Sequence, residues 1–489
     1  MEHKNVWKAY QEADLEALEA LAKDYREFIS SCKTERECAA FALKKAQESG
    51  YVSLEEAIRQ GRSLHPGDKV WAHAQGKALI LAHLGTQPLE KGFNILGAHI
   101  DSPRLDIKQN PLYEANDFAL LDTHYYGGIK HYQWVTIPLA IHGVVVKKSG
   151  ESVEVVVGEN PSDPVFCVTD LLIHLAAEQM EKSAKKAVEG ENLDVLAGSR
   201  PFPGAEGKGA EESGEDDKAD EAESQDLPKD LAKLAKKEPV KAMLLKLLRE
   251  TYGIEEEDFL SAELEVVPAG PARECGFDRS MILGYGQDDR VCAYPSLRAQ
   301  LSLEQPSKTA LCILVDKEEI GSVGATGMAS RFFENTIAEI MELAGEPFGL
   351  ALRRGLAASS MLSSDVSAGF DPLYASVFEP KNAAYLGGGL VFNKYTGARG
   401  KSGSNDASAE YVARIRAIME ENNVAYHTSE LGRVDIGGGG TIAYIPAEYG
   451  MDVIDSGVAV LSMHSPWEVS SKADIYEAYK GYRAFLQDA

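Results

Sequence analysis

Five short polar clusters, each directly after or inside an apolar run, are the residues of this chain whose types and spacing suit chemistry: His99 and Asp101 in GAHIDSPRLD, Asp288 and Asp289 in GYGQDDRVCAYP, Glu318 and Glu319 in DKEEIGS, Asp365 in SSDVSAG and His464 in SMHSPWE. Carboxylates at the margin of a core are costly to bury unless a cation or a hydrogen-bond network receives them. Residues two apart on an extended strand face the same side, so His99 can ligate a metal while Asp101 accepts the other ring N–H and fixes the tautomer. Glu318 and Glu319 are adjacent, and at a strand end they can share a site with different tasks, one binding metal and the other taking a proton from water. Asp288 is a candidate to give one oxygen to each of two ions, and Asp289 fits that role equally well. Taken alone, each cluster also has an ordinary explanation as a turn, a cap or a satisfied histidine. A shared metal site explains all five together.

Two histidines with three carboxylates suit a pair of divalent ions such as Zn²⁺, with Co²⁺ or Mn²⁺ also accommodated, rather than the all-oxygen sets of Mg²⁺ or Ca²⁺. Other chemistries find no sequence support. There is no GxSxG elbow and no P-loop, and GGGGTIAYI lacks the GxGxxG spacing after a strand.

The elements that must hold these groups are readable from periodicity. FNILGAHID is a buried strand whose carboxyl end opens onto a site, and TALCILVD and VAVLSMH are further strands alternating with helical stretches and Gly-rich loops. That alternation predicts an α/β layered domain, and open α/β sheets place ligands at the carboxyl ends of their strands, where the clusters fall. Upstream, LEALEALAKDYREFI has helical spacing, and Thr34 with Glu37 forms a capping box before CAAFALKKA. From about Leu105 to Gly270 the pattern changes to short β-rich runs, HYQWVTIPLAIHGVVVKK and ESVEVVVG, a helix TDLLIHLAAEQMEK and an amphipathic helix VKAMLLKLLRETYG. The expected organisation is a catalytic domain of residues 1–104 plus 271–489, interrupted by a second domain at 105–270. The Gly-, Ser- and acid-rich segment at about 203–228 has no aromatic or β-branched residue to bury and is predicted to be a disordered surface loop.

Composition narrows the function. A chain of 489 residues divides into about two domains. The formal net charge of −26 argues against a nucleic-acid partner. The six cysteines are scattered without CxxC pairs, as in a cytosolic protein with reduced thiols. No segment reaches the roughly 18 apolar residues of a membrane span, and MEHKNVWKAYQEADLEAL lacks a basic region followed by an apolar stretch, so a cytoplasmic protein without membrane partners is expected.

The ordered set H-x-D, D-D-R, E-E-I-G-S, S-D and M-H-S resembles that of the M18 metallo-aminopeptidases, the family of aspartyl aminopeptidase. The likeness runs over nearly the whole chain apart from the acidic segment and is most specific in EEIGS and MHS. The resemblance implies two zinc ions bridged by Asp288, with His99 and Asp365 as terminal ligands of one, Glu319 and His464 of the other, Glu318 as general base and Asp101 as the partner of His99. It further implies a metallopeptidase α/β/α domain interrupted by a β-rich dimerisation domain, with dimers assembling into tetrahedral dodecamers. In this family a histidine of the inserted domain reaches the active site of a neighbouring subunit, and His174 in LLIHLA matches it. Arg399 and Lys401 in TGARGKSGSND fall in the segment that supplies a substrate-binding cation in aspartyl aminopeptidases. Acidic first residues are preferred if they act in this way, neutral ones if they are merely solvated. Two departures from the pattern are Gln287, where an apolar residue is usual, and the long acidic insert. The implied activity is removal of the N-terminal residue from peptides. A two-metal deacylase and a non-catalytic assembly are the alternatives.

Overall fold

A computed structural model of the chain describes residues 4–203, 229–346, 349–398 and 400–489. Arg399 and, apart from Pro203, the acidic segment at 203–228 lie outside the described residues. The chain forms two compact units, Met1–Ser102 with Pro271–Ala489, and Pro103–Gly270.

The first unit is built on a nine-stranded sheet in the order Val52–Ser53, Lys69–Ala74, Ala78–His83, Thr309–Val315, Phe93–His99, Ser360–Ser363, Asp452–Gly457, Leu390–Asn393, Tyr426–Thr428. Its central strands are apolar at successive positions because both faces are covered. Leu96, Ala98, Cys312 and Leu314 pack with Tyr25, Phe28, Val291, Ile415 and Phe485 on one face. Ile95, Leu311 and Ile313 pack with Leu54, Phe333, Ile337 and Leu356 on the other. Helices Glu12–Ser31, Glu35–Glu48, Gln287–Leu301, Ala409–Glu421 and Lys472–Asp488 therefore supply one outer layer, and Leu54–Gln60, Phe332–Leu343 and Leu350–Ala357 the other. This is the expected α/β/α arrangement. The capping box forms as read: Thr34 Oγ1 accepts from Glu37 N at 3.2 Å, and Glu37 Oε2 accepts from Thr34 N at 2.9 Å.

Four neighbouring strands, Thr309–Val315, Phe93–His99, Ser360–Ser363 and Asp452–Gly457, run parallel. Val315 lies opposite His99, and Ser363 opposite Gly97. The chain thus leaves three of these strands at one edge of the sheet, just before Glu318, just after His99 and just before Asp365. A separate five-stranded sheet runs in the order Arg273–Cys275, Met281–Gly284, Glu468–Ser471, Ala459–Leu461, Ser367–Ala368. The run VAVLSMH does not continue as a strand to its end: the strand stops at Leu461, and His464 sits in the following turn with φ 63.

The second unit carries a six-stranded antiparallel sheet in the order Ser152–Val157, Leu139–Val146, Ala262–Pro268, Arg104–Ala115, Phe118–Tyr126, Val195–Gly198. The Arg104–Ala115 and Phe118–Tyr126 strands are joined by Asn116 and Asp117, both left-handed (φ 50 and 61), residue types that tolerate that conformation in a two-residue hairpin. VKAMLLKLLRETYG is the helix Pro239–Tyr252, closed by Gly253 at φ 64. TDLLIHLAAEQMEK, expected as one helix, is instead a 3-10 turn Ile173–Leu175 followed by the short helix Ala177–Glu181. Leu171, Leu172, Ile173 and Leu175 are 50 to 71% exposed, so the packing that stabilises longer helices is missing. No helix among the described residues is long and apolar enough to cross a membrane.

Candidate metal centre

His99 ends the central strand and is buried. Its Nδ1 lies 3.1 Å from the Asp101 carbonyl oxygen and 3.4 Å from Asp101 Oδ1, so the backbone acceptor is the nearer of the two. That contact turns Nε2 toward 3.2 Å from Asp288 Oδ1, 3.9 Å from Asp365 Oδ1 and 4.0 Å from Glu318 Oε2. His464 approaches from the turn after the smaller sheet, with Nε2 3.2 Å from Asp288 Oδ2 and 3.6 Å from Glu319 Oε2. Asp288 therefore offers one carboxylate oxygen to each histidine at the same distance. The residues fall into overlapping triads, His99–Asp288–Asp365, Asp288–Glu319–His464 and His99–Glu318–Glu319, each with one ligand atom per residue within 4.8 Å of the others.

Helix Gln287–Leu301 begins irregularly, and this separates its two aspartates. Asp288 (φ −77, ψ 108) and Asp289 (φ −112, ψ 21) are not helical, and the Ser102 hydroxyl donates to the Asp288 carbonyl at 2.7 Å. Asp289, by contrast, is buried beside the Cys292 thiol and the His99 backbone.

Glu318 and Glu319 lie in a 3-10 turn that starts at Lys317, itself left-handed with φ 71. Asp101 holds this turn: its Oδ1 accepts from Glu318 N and its Oδ2 from Glu319 N, each at 3.2 Å. One carboxylate thus orients both glutamates as well as meeting the His99 ring. Asp101→Asn keeps one acceptor oxygen but turns an NH₂ toward the second N–H. It is expected to weaken divalent-ion binding by the cluster about tenfold to a hundredfold, the usual cost of losing a group that orients ligands, as calorimetric titration will read. Wild-type ion affinity in this variant would show that the turn holds itself.

The electrostatics favour a cation. Burial, then neighbouring carboxylates, pushes Asp289 and Glu319 well above the ordinary carboxylate range; Asp365 is pushed up in the same way, and Glu318 is raised too. Burial also opposes ionisation of Asp288, yet its hydrogen bonds to His464 and His99 hold it below that range. Burial disfavours a charged His99, but Asp101 and Asp288 raise its pKa well above that of a free imidazole. Glu319 Oε1 is buried without a hydrogen-bond partner. So many acidic groups in one buried space repel each other unless divalent cations receive them, and the histidine-carboxylate donor set suits zinc.

Lys401 and His174 are the remaining described candidates. Lys401 Nζ is 2.8 Å from Asp406 Oδ2 and sits 3.6 Å above the Tyr395 ring. It lines a hollow with Glu430, Arg433 and Asp435, so acids balance the cations there. His174 belongs to the second unit, on the exposed aliphatic turn. A residue that the sequence reading missed is Glu468, buried on the smaller sheet with both oxygens bonded to the backbone around Asp288 and His464.

The family model described as Aminopeptidase I zinc metalloprotease (M18) matches residues 28–486. A probable M18 family aminopeptidase 1 of Clostridium acetobutylicum is 57% identical over 487 residues, spanning 100% of this chain and 98% of the relative. The crystal structure of an M18-family aminopeptidase from Thermotoga maritima matches with a TM-score of 0.89 at 44% identity, covering 100% of both chains. That of aminopeptidase I from C. acetobutylicum matches at 0.88 and 55%, again over 100% of both. The S. cerevisiae mApe1 dodecamer shares the fold at a TM-score of 0.73 and 18% identity, over 95% of this chain and 96% of its own. Likeness of this extent, in sequence and in fold, leaves one assignment: the chain belongs to the M18 family of zinc metallo-aminopeptidases.

Proposed function

We propose that this enzyme works with two metal ions, Asp288 bridging them, His99 and Asp365 completing one ligand set, Glu319 and His464 the other, and Glu318 serving as general base. The observation that carries this reading is the even division of the Asp288 carboxylate, 3.2 Å from each histidine. Zinc is the favoured metal, with cobalt or manganese as substitutes. When bound, such a pair lowers the pKa of a water and polarises the scissile carbonyl. Glu318 has the most open side chain of the clustered carboxylates, 17% exposed against 10% for Asp365, 5% for Asp288 and 3% for Glu319. Water and substrate can therefore reach it. It takes the water proton at its carboxylate and returns it to the leaving amine nitrogen. The gathered histidines and carboxylates suit a substrate ammonium better than a substrate carboxylate, and the relatives are named aminopeptidases. This favours an aminopeptidase over a deacylase. Asp406 is shared between Lys394 and Lys401, and Glu430 and Asp435 line the same hollow as Lys401 and Arg433, so neutral first residues are the better-supported substrates.

Initial rates on aminoacyl substrates with free and with acetylated amines test this, run with a chelator and then with Zn²⁺, Co²⁺ or Mn²⁺ restored. Chelator-sensitive release of neutral residues from free amines alone is expected. Release from the acetylated series would overturn the assignment in favour of a deacylase, and preferred release of Asp or Glu would return Lys401 and Arg399 to a binding role.

Self-association belongs to the same reading. Four exposed aliphatic residues around His174 form an apolar surface of a kind that usually meets a partner, and a second copy of the chain is the occupant proposed, as in the dodecameric yeast relative. His174 would then serve a neighbouring subunit. Native mass measurement should find assemblies; monomers at working concentration would remove that role.

A further inference from the structure

Glu468 is 1% exposed and close to an anionic cluster, where a carboxylate is electrostatically unfavourable. Its hydrogen bonds account for its presence. Oε2 accepts from Gln287 N at 2.6 Å and from Asp288 N at 3.1 Å, and Oε1 accepts from His464 N at 2.8 Å. Only a carboxylate can accept on both oxygens here, because an amide of the same shape would face one of these N–H groups with its own NH₂. The two groups of donors lie on different elements, the start of helix Gln287–Leu301 and the turn between strands Ala459–Leu461 and Glu468–Ser471. His464 has φ 63, a left-handed conformation that non-glycine residues keep only when their surroundings hold them there.

Gln287 secures the arrangement. Its Nε2 donates to the Glu468 carbonyl at 2.6 Å and to the Ile282 carbonyl at 3.2 Å, while its Oε1 accepts from Tyr25 Oη at 3.3 Å and from Ser470 Oγ. His99 and Asp365 are anchored differently. His99 ends a central strand, and Ser364 N, next to Asp365, donates to the Gly97 carbonyl of that same strand at 2.6 Å.

We propose that Glu468, clamped by Gln287, is the positioning residue for His464, setting the metal affinity of the Glu319–His464 half, while Asp288, which both halves share, is also held by Ser102 Oγ on its carbonyl and the His99–Asp365 half keeps its own anchors. The inference rests on the two-ion reading. Calorimetric titration of chelator-stripped protein with Co²⁺, followed in parallel by visible absorbance, tests it in wild type and Glu468→Gln. Wild type should take up two ions. The variant should bind the first with wild-type affinity and the second about 10- to 100-fold more weakly, with a matching loss of the second absorbance phase. Wild-type affinity for both ions in the variant would overturn the proposal. So would equal weakening of both, accompanied by a lower melting temperature of the metal-free protein, which would mark Glu468 as a general structural group. Should Glu468→Gln fail to fold, Gln287→Met carries the same test, again with selective loss at the second ion expected. A wild type that binds a single ion would instead defeat the two-ion reading, and this assignment with it.

Discussion

Glu318→Gln will hold metal as the wild type does and turn over substrate about 10²- to 10⁴-fold more slowly, the range that a positioned general acid-base group contributes. The substitution keeps the shape of the side chain and both backbone bonds from the turn to Asp101, which are made by the N–H groups of residues 318 and 319 rather than by the carboxylate. It removes only the capacity to take up and return a proton. The loss should therefore fall on kcat, with KM and metal content near normal, as steady-state rates and metal analysis of the purified variant will read. Near-normal kcat would dismiss Glu318 as the base. Loss of metal together with rate would make it a ligand, a role its 4.0 Å approach to His99 Nε2 also permits geometrically.

Asp288→Ala has the second large effect and a different signature. Asp288 is the residue shared by the His99–Asp288–Asp365 and Asp288–Glu319–His464 triads, so its removal should weaken both ions, whereas His464→Ala should weaken chiefly one. Activity of Asp288→Ala should be lost at zinc concentrations that saturate the wild type. Zinc at 100 times its Kd stabilises a protein by about 2.7 kcal/mol, so the wild type should melt several degrees higher with zinc than with chelator, and Asp288→Ala should show no such difference. A zinc-dependent rise of wild-type size in the variant would contradict a shared bridge.

How legible these features were depends on how local their causes are. FNILGAH ends in polar residues after a run buried on both faces, and hydropathy alone put His99 at a strand end facing a site. The Thr34–Glu37 cap spans three residues and needed nothing distant. Asp288 and Asp289 were indistinguishable in sequence because their difference lies in two non-helical backbone conformations at a helix start. His464 followed an apolar run and read as part of a strand; instead it sits in a left-handed turn, where its N–H donates to the Glu468 carboxylate. Glu468 itself is four residues past His464 in an alternating stretch and looks like an outward-facing acid. Its burial follows from a pairing with residues 181 positions away, which only the topology of the smaller sheet reveals. Lys401 is the reverse case: its partner Asp406 is five residues on, and that pairing was within reach of the sequence. TDLLIHLAAEQMEK had helical periodicity, but among the described residues of its own unit its leucine and isoleucine side chains stay exposed rather than packed.

The central claim, two ions on one divided carboxylate, is tested most directly by diffraction from zinc-loaded crystals recorded at the zinc absorption edge. The account predicts two anomalous peaks about 3.5–4 Å apart, one against His99 and Asp365, the other against His464 and Glu319, with Asp288 between them. A single peak, or two peaks that do not share Asp288, would contradict it.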